Sequence, residues 1–152
     1  MDKEKLLHFL LKARTETYVG DKGEIEPALK GSKQLEHSES DWFYRDVYNM
    51  GKGLFMGIET VYFQDEPVWS MSYYGDYKKM TENEADEILR DALIENWETA
   101  RLWKRVEWQK GEFKYTCEPD FGDSLEEAAG QEKIFRGDEQ VYNFFYAGGM
   151  IK

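Results

Sequence analysis

The chain has 152 residues, a length that suits a single domain spanning 1–152 with one core. Its formal net charge of -11 opposes a phosphate backbone, so nucleic-acid binding by this chain alone is not expected. Aromatic residues at 16% exceed what a helical bundle of this size needs and favour sheets and binding faces.

The first element is a helix over Lys3 to Arg14, where Leu6, Leu7, Leu10, Leu11 and Ala13 recur at helical spacing. Gly20 and Gly23 break the pattern, and 18–40 is polar and long for a plain connection, with a short strand expected at Gln34 to His37. Three strands follow as a meander: Asp41 to Asn49, Leu54 to Phe63 and Val68 to Tyr74. Met50-Gly51-Lys52-Gly53 and Gln64-Asp65-Glu66-Pro67 are their turns.

Thr81 and Glu84 form a capping box that opens a second helix, Glu82 to Ala100, with Ala85, Ile88, Leu89, Ala92, Leu93 and Trp97 on one face. Acids crowd its first turn. Arg101, Lys104 and Arg105, the nearest thing to a basic cluster, read as helix-end charge. Strands resume at Val106 to Gln109 and Glu112 to Glu118 around Lys110-Gly111. Asp120 to Gly130 is expected to be a loop with one helical turn at Ser124 to Ala129, and Glu132 to Phe135 pairs with Val141 to Tyr146 in a last hairpin.

Sliding the sequence by about 73 positions aligns two segments without a gap. Gly57-Ile58-Glu59 meets Gly130-Gln131-Glu132, Asp65-Glu66 meets Asp138-Glu139, Val68-Trp69 meets Val141-Tyr142, and Tyr73 meets Tyr146. The expected fold is therefore α+β: two helices on a largely antiparallel sheet of six to eight strands, duplicated from a helix-plus-three-strand unit (about 3–75 and 81–148). Such halves pair around a pseudo-twofold axis, with helices on one face and a cleft near the axis. By element order alone, this layout is similar to the duplicated scaffolds of GyrI-like small-molecule sensors.

The runs Asp41 to Tyr48, Phe55 to Val61 and Pro67 to Gly75 carry a tryptophan–tyrosine motif. They resemble an uncharacterised bacterial domain of unknown function that occurs alone or behind an XRE-type helix-turn-helix module. The resemblance takes in Phe9 to Gly20 and extends to the end of the chain. It implies a bacterial origin and a regulatory context, and it transfers no catalytic residue. No helix-turn-helix precedes the domain in this sequence.

Period-two alternation places Phe55, Gly57, Glu59, Val61 and Phe63 on one strand face. Trp69, Met71 and Tyr73 share a face of the next strand; Trp42, Tyr44, Asp46 and Tyr48 share a face of the preceding one. Glu59 among apolar neighbours must find a partner or take up a proton. Gly57 beside it leaves room for close approach. The expected ligand site is thus an aromatic pocket of Trp42, Tyr44, Trp69 and Tyr73, with Glu59 as acidic anchor, Asp46 as second acid and Glu132 as the repeat counterpart. Its ligand would be a small cationic or aromatic molecule. If instead an Arg or a Tyr hydroxyl satisfies Glu59, these rings are core.

Cys117 is the only cysteine, which excludes an internal disulfide and fits a reducing compartment. The first 14 residues lack a signal-peptide pattern, and no apolar run nears bilayer-spanning length. A cytoplasmic, membrane-free location is expected. His8 and His37 have no ligand-like spacing, so no metal or cofactor is expected. The leading function is a non-enzymatic sensing module. The others are an interaction domain, whose acidic surface engages a basic partner or whose sheet edges form a homodimer, and a hydrolase using paired carboxylates.

Overall fold

The structure is a computed structural model and describes residues 2–151. Helix α1 spans Lys3–Arg14, and the Asp2 carboxylate caps it by accepting from the Glu4 and Lys5 amides. Leu6, Phe9, Leu10, Leu11 and Ala13 bury its apolar stripe. Burial stabilises each of the larger side chains by about 1.5–3 kcal/mol. The helix widens into a π-helical turn, Thr15–Val19, where the Thr17 hydroxyl donates to the Ala13 carbonyl at 2.7 Å.

The strands are β1 Glu24–Ile25, β2 Lys33–Glu39, β3 Trp42–Gly51, β4 Leu54–Phe63, β5 Glu66–Asp76, β6 Val106–Lys110, β7 Phe113–Ser124, β8 Glu127–Arg136 and β9 Glu139–Met150. Helix α2, Glu82–Glu95, separates β5 from β6. All nine strands join one antiparallel sheet in the order β1-β2-β3-β4-β5-β9-β8-β7-β6. Two four-stranded meanders, β2–β5 and β6–β9, meet along the β5–β9 seam, where Tyr73 sits opposite Tyr146.

Both helices lie on one face, α1 against β2 and β3 and α2 against β6 and β7. The core between the layers is continuous and holds Val61, Trp69 and Met71 from the first meander and Ile134, Tyr142 and Phe144 from the second. Two-residue turns shape the hairpins. Lys52-Gly53 and Gln64-Asp65 both take positive φ, the geometry that matches strand twist.

Three sequence expectations are corrected here. The sheet has nine strands, not six to eight, because the polar 18–40 segment supplies β1 and a β2 longer than the Gln34–His37 core of the signal. Helix α2 stops at Glu95, since the Asn96 side-chain Nδ2 donates to the Ala92 carbonyl at 2.8 Å and the chain turns away there. The segment 120–130 is no loop: β7 and β8 run through it around a tip at 125–126. There the Ser124 hydroxyl accepts from the Glu126 amide, making a tight turn instead of capping a helix.

Candidate functional site

Glu59 sits on the inner face of β4 and is 2% exposed. Arg14, on the helical stripe with Leu7 and Leu10, reaches it from the end of α1. Its Nε and Nη2 donate to the two carboxylate oxygens at 2.9 and 2.8 Å, and the Tyr44 hydroxyl donates at 2.9 Å. Burial alone would raise the Glu59 pKa. The Arg14 charge and hydrogen bonds reverse this and hold the carboxyl below its ordinary value.

The same arrangement recurs on β8. Glu132 is fully buried; Arg101 Nε and Nη2 donate to it at 2.8 and 3.2 Å, and the Tyr115 hydroxyl donates at 2.7 Å. Arg101 therefore does not sit as a helix-end charge. A positive φ of 58° in the turns after α2 swings it inward, over the Phe144 ring at 4.4 Å.

Asp46 differs from both glutamates. It lies directly opposite Glu59 across β3 and β4, is 7% exposed, and accepts a 2.5 Å hydrogen bond from the Tyr73 hydroxyl. Among the described residues, no Lys or Arg comes within ion-pair distance of it, because Arg14 and Arg101 are engaged by the glutamates. Burial, then the negative charge of Glu59, pushes its pKa up to about 7, against the Tyr73 hydrogen bond. The corresponding place opposite Glu132 holds Cys117, 3.5 Å from the Tyr146 hydroxyl, and burial keeps that thiol neutral. So one meander carries an ionisable acid where the other carries a thiol.

Gly57 makes the Tyr73–Asp46 bond possible. A Cβ there would stand 2.6 Å from the Tyr73 hydroxyl and 2.6 Å from the Val47 carbonyl. Gly130 makes the same room for Tyr146.

Beside Asp46 lies a cavity of about 130 Å³ between the π-helical turn, α2 and the sheet. Asp46, Tyr48, Phe55, Tyr73 and Tyr142 form its sheet wall, and Tyr18, Ala85 and Leu89 its helical wall. Tyr142 is 2% exposed; its hydroxyl lies beside the Arg101 guanidinium and has no hydrogen bond of good geometry in the protein. Arg90 lines the cavity too. It stacks on the Tyr18 ring at 5.2 Å and reaches Asp21 at 3.1 Å, while its Nε is unpartnered. The Tyr18 hydroxyl donates to Asp86 at 3.1 Å. A second space of about 30 Å³ where Glu59, Arg14 and Tyr44 meet has room for a water only.

Of the residues singled out in the sequence, Asp46 and Tyr73 line the cavity. Tyr44 and Glu59 form the ion-paired cluster behind it, and Glu132 forms the second cluster. Trp69 is buried in the core under Arg14, 5.6 Å away, and Trp42 packs between Phe9 and Phe63 at 5.5 and 4.7 Å. The acid left without a cation is thus Asp46, not Glu59. Sequence reasoning missed Arg14, although it falls on the apolar stripe of α1, and Arg101, which carried no such signal. It also missed Tyr18, inside the long polar segment, and Tyr142, which the strand alternation shared with Phe144 and Tyr146 could have flagged.

Among the described residues no group of His, Cys, Asp and Glu could hold a metal ion, and no helix is long and apolar enough to cross a membrane. No curated protein and no solved structure matches the chain. A family model described as "Domain of unknown function (DUF5680)" matches residues 46–151, which takes in Asp46, Glu59, Tyr73, Arg101, Glu132 and Tyr142 and leaves out α1. The chain belongs to that family of domains of unknown function.

Proposed function

We propose that the protein is a non-enzymatic domain that binds a small molecule in the cavity between its helical layer and its sheet. One observation carries this reading: a ring-lined hollow of about 130 Å³ that holds a buried acid and an unpartnered buried hydroxyl, Tyr142. Packed interiors seldom leave such groups unsatisfied, and a hollow of this size fits a one-ring compound. The matched Arg–Glu–Tyr clusters support one domain duplicated from a helix-plus-strands unit, with Asp46 and Cys117 as the point of divergence. We place it in a bacterial, regulatory setting, as the resemblance to XRE-associated domains implies, and in the cytoplasm, which fits its single cysteine.

The test is a thermal-shift screen with one-ring aromatic compounds, neutral and charged, on the wild type and on Ala85→Leu, which fills the helical wall. A true ligand at a hundredfold its Kd adds about 2.7 kcal/mol. Saturable stabilisation of the wild type that Ala85→Leu removes supports the reading. No stabilisation by any compound refutes it.

A second reading is a homodimer formed through the outer sheet face. Met56, Tyr74 and Phe145 lie opposite one another across β4, β5 and β9, exposed, with Ile58 beside them. The outward residues of these central strands carry no charge along Met56–Thr60, Ser70–Tyr74 and Asn143–Ala147, so a second acidic copy meets no repulsion there. Light scattering of wild type and Tyr74→Lys decides it: a dimer made monomeric by the lysine supports this reading, and a monomeric wild type ends it.

A further inference from the structure

Three carboxylates are buried on the inner face of the sheet, and two of them already have cations. Arg14 clamps Glu59 and Arg101 clamps Glu132, each through two nitrogens. Asp46 has only the Tyr73 hydroxyl on one oxygen. A carboxylate this deep must keep a proton or receive a positive charge. No Lys or Arg of the protein forms an ion pair with it; Lys22, Lys33, Arg90 and Arg101 line the hollow at the spot, and Asp21, Glu24, Glu82 and Asp86 on the same walls leave the lining net acidic.

We infer that the ligand is a small organic monocation, of the size of a one-ring amine, whose charged nitrogen pairs with Asp46 inside the cavity. This rests on the small-molecule reading above and names the class of molecule that the site takes. The walls agree with it. Tyr48, Phe55, Tyr73, Tyr77 and Tyr142 present rings to the same space, and ring faces attract cations. Phe55 stands within 6.1 Å of both Tyr73 and Tyr77 and 6.4 Å from Tyr142, so the rings form a connected wall. The unpartnered Tyr142 hydroxyl offers the ligand a hydrogen bond in either direction.

Binding is then an exchange of charges. Near neutral pH part of the Asp46 population carries a proton. The ammonium nitrogen enters, the carboxyl gives its proton to solvent, and carboxylate and ammonium form the pair with no bond made or broken beyond that O–H. The charged and titratable groups that face Asp46 are Glu59 on β4, Tyr73 on β5, Tyr44 and Tyr48 on β3, Arg14 at the end of α1 and Arg101 after α2; around the cavity stand Tyr18, Asp21 and Lys22 at the π-helical turn and after it, Glu24 on β1, Lys33 on β2, Tyr77 after β5, and Glu82, Asp86 and Arg90 on α2. Arg14 and Arg101 are committed to glutamates and Arg90 to Asp21, and the tyrosines beside Asp46 stay neutral because burial raises their pKa values. Asp46 is therefore the group that titrates in the working range.

The experiment is isothermal titration of the full chain with benzylammonium chloride and with its neutral isostere benzyl alcohol, at pH 6 and pH 8, each in two buffers of different ionisation heat. Benzylammonium is expected to bind about tenfold more tightly at pH 8 than at pH 6, since the ionised fraction of Asp46 grows by about that factor. The buffer comparison should show close to one proton released at pH 6 and almost none at pH 8. Asp46→Asn, with unchanged circular dichroism, should lose at least tenfold in benzylammonium affinity and keep its affinity for benzyl alcohol. The more conservative Tyr73→Phe keeps the acid and should retain cation binding.

Equal benzylammonium affinity in wild type and Asp46→Asn overturns the inference, as does an affinity independent of pH. Benzyl alcohol binding without benzylammonium binding overturns the cation class and leaves the small-molecule reading standing. Failure of both probes, together with a blank thermal-shift screen, overturns both.

Discussion

Replacing Asp46 by Asn removes an ionisable group and keeps its shape and its ability to accept from Tyr73. In the fold this aspartate holds its proton to about pH 7, whereas its ordinary value is 3.8. Between those values the native state binds more protons than the unfolded chain. The protonated acid's contribution to stability is therefore complete below about pH 4 and is lost as pH rises through about 7. Each pH unit in that window is worth ~1.4 kcal/mol, so the wild type loses about 3 kcal/mol between pH 5 and pH 8 that the Asn variant does not lose. Other titrating groups are common to both proteins and cancel in the difference. For a chain of this length, about 3 kcal/mol corresponds to a Tm difference of about 6–12 °C. Calorimetry or urea denaturation of both proteins from pH 5 to pH 9 measures it. The stability of Asp46→Asn relative to wild type should climb through that range and level off above about pH 8. A difference that is flat over pH 5–9, or that is complete by pH 5, would refute the idea that Asp46 is buried without a countercharge.

Four further outcomes follow from the same geometry. Glu59→Gln leaves Arg14 buried without its partner and should cost about 3–5 kcal/mol in urea denaturation, whereas a double Arg14→Met, Glu59→Met change should recover much of that loss. Tyr115→Phe removes a hydroxyl that bonds buried Glu132 and should cost about 1–3 kcal/mol, while Tyr142→Phe removes an unpartnered hydroxyl and should leave stability unchanged or slightly higher. Gly57→Ala drives a methyl against the Tyr73 hydroxyl and the Val47 carbonyl; it should cost about 1–3 kcal/mol and, by breaking the Tyr73 bond that lowers the Asp46 pKa, extend the pH dependence expected for wild type to higher pH. Thr81→Ala removes the capping box and should cost about 1 kcal/mol, with fraying confined to the start of α2 by hydrogen exchange.

Much of the fold was legible because local chemistry and tertiary structure agree. Leu6 to Ala13 carry a helical stripe, Thr81 and Glu84 mark a helix start, and the glycines at 53, 111 and 137 take the positive φ that their turns need. The pairing of β5 with β9 could not be read, since nothing in either strand names its neighbour across more than 60 residues. The end of α2 was misjudged because apolar spacing continues past Asn96, into turns that bury Ala100 and Leu102 without a helix. At the site, alternation put Asp46, Glu59 and Tyr73 on the inner face, where the structure has them. It could not say which acid would meet an arginine. That choice depends on where α1 and the 96–103 turns deliver Arg14 and Arg101, a matter of packing angle and not of strand sequence.

Whether the Asp46 carboxyl sits in the interior with no cation of the protein beside it is open to direct observation by carbon-detected NMR of its side-chain carboxyl across pH. A midpoint near 7 in the free protein, falling well below 4 when benzylammonium saturates the cavity, is the expected result. A midpoint near 4 that does not move on adding the amine would contradict it.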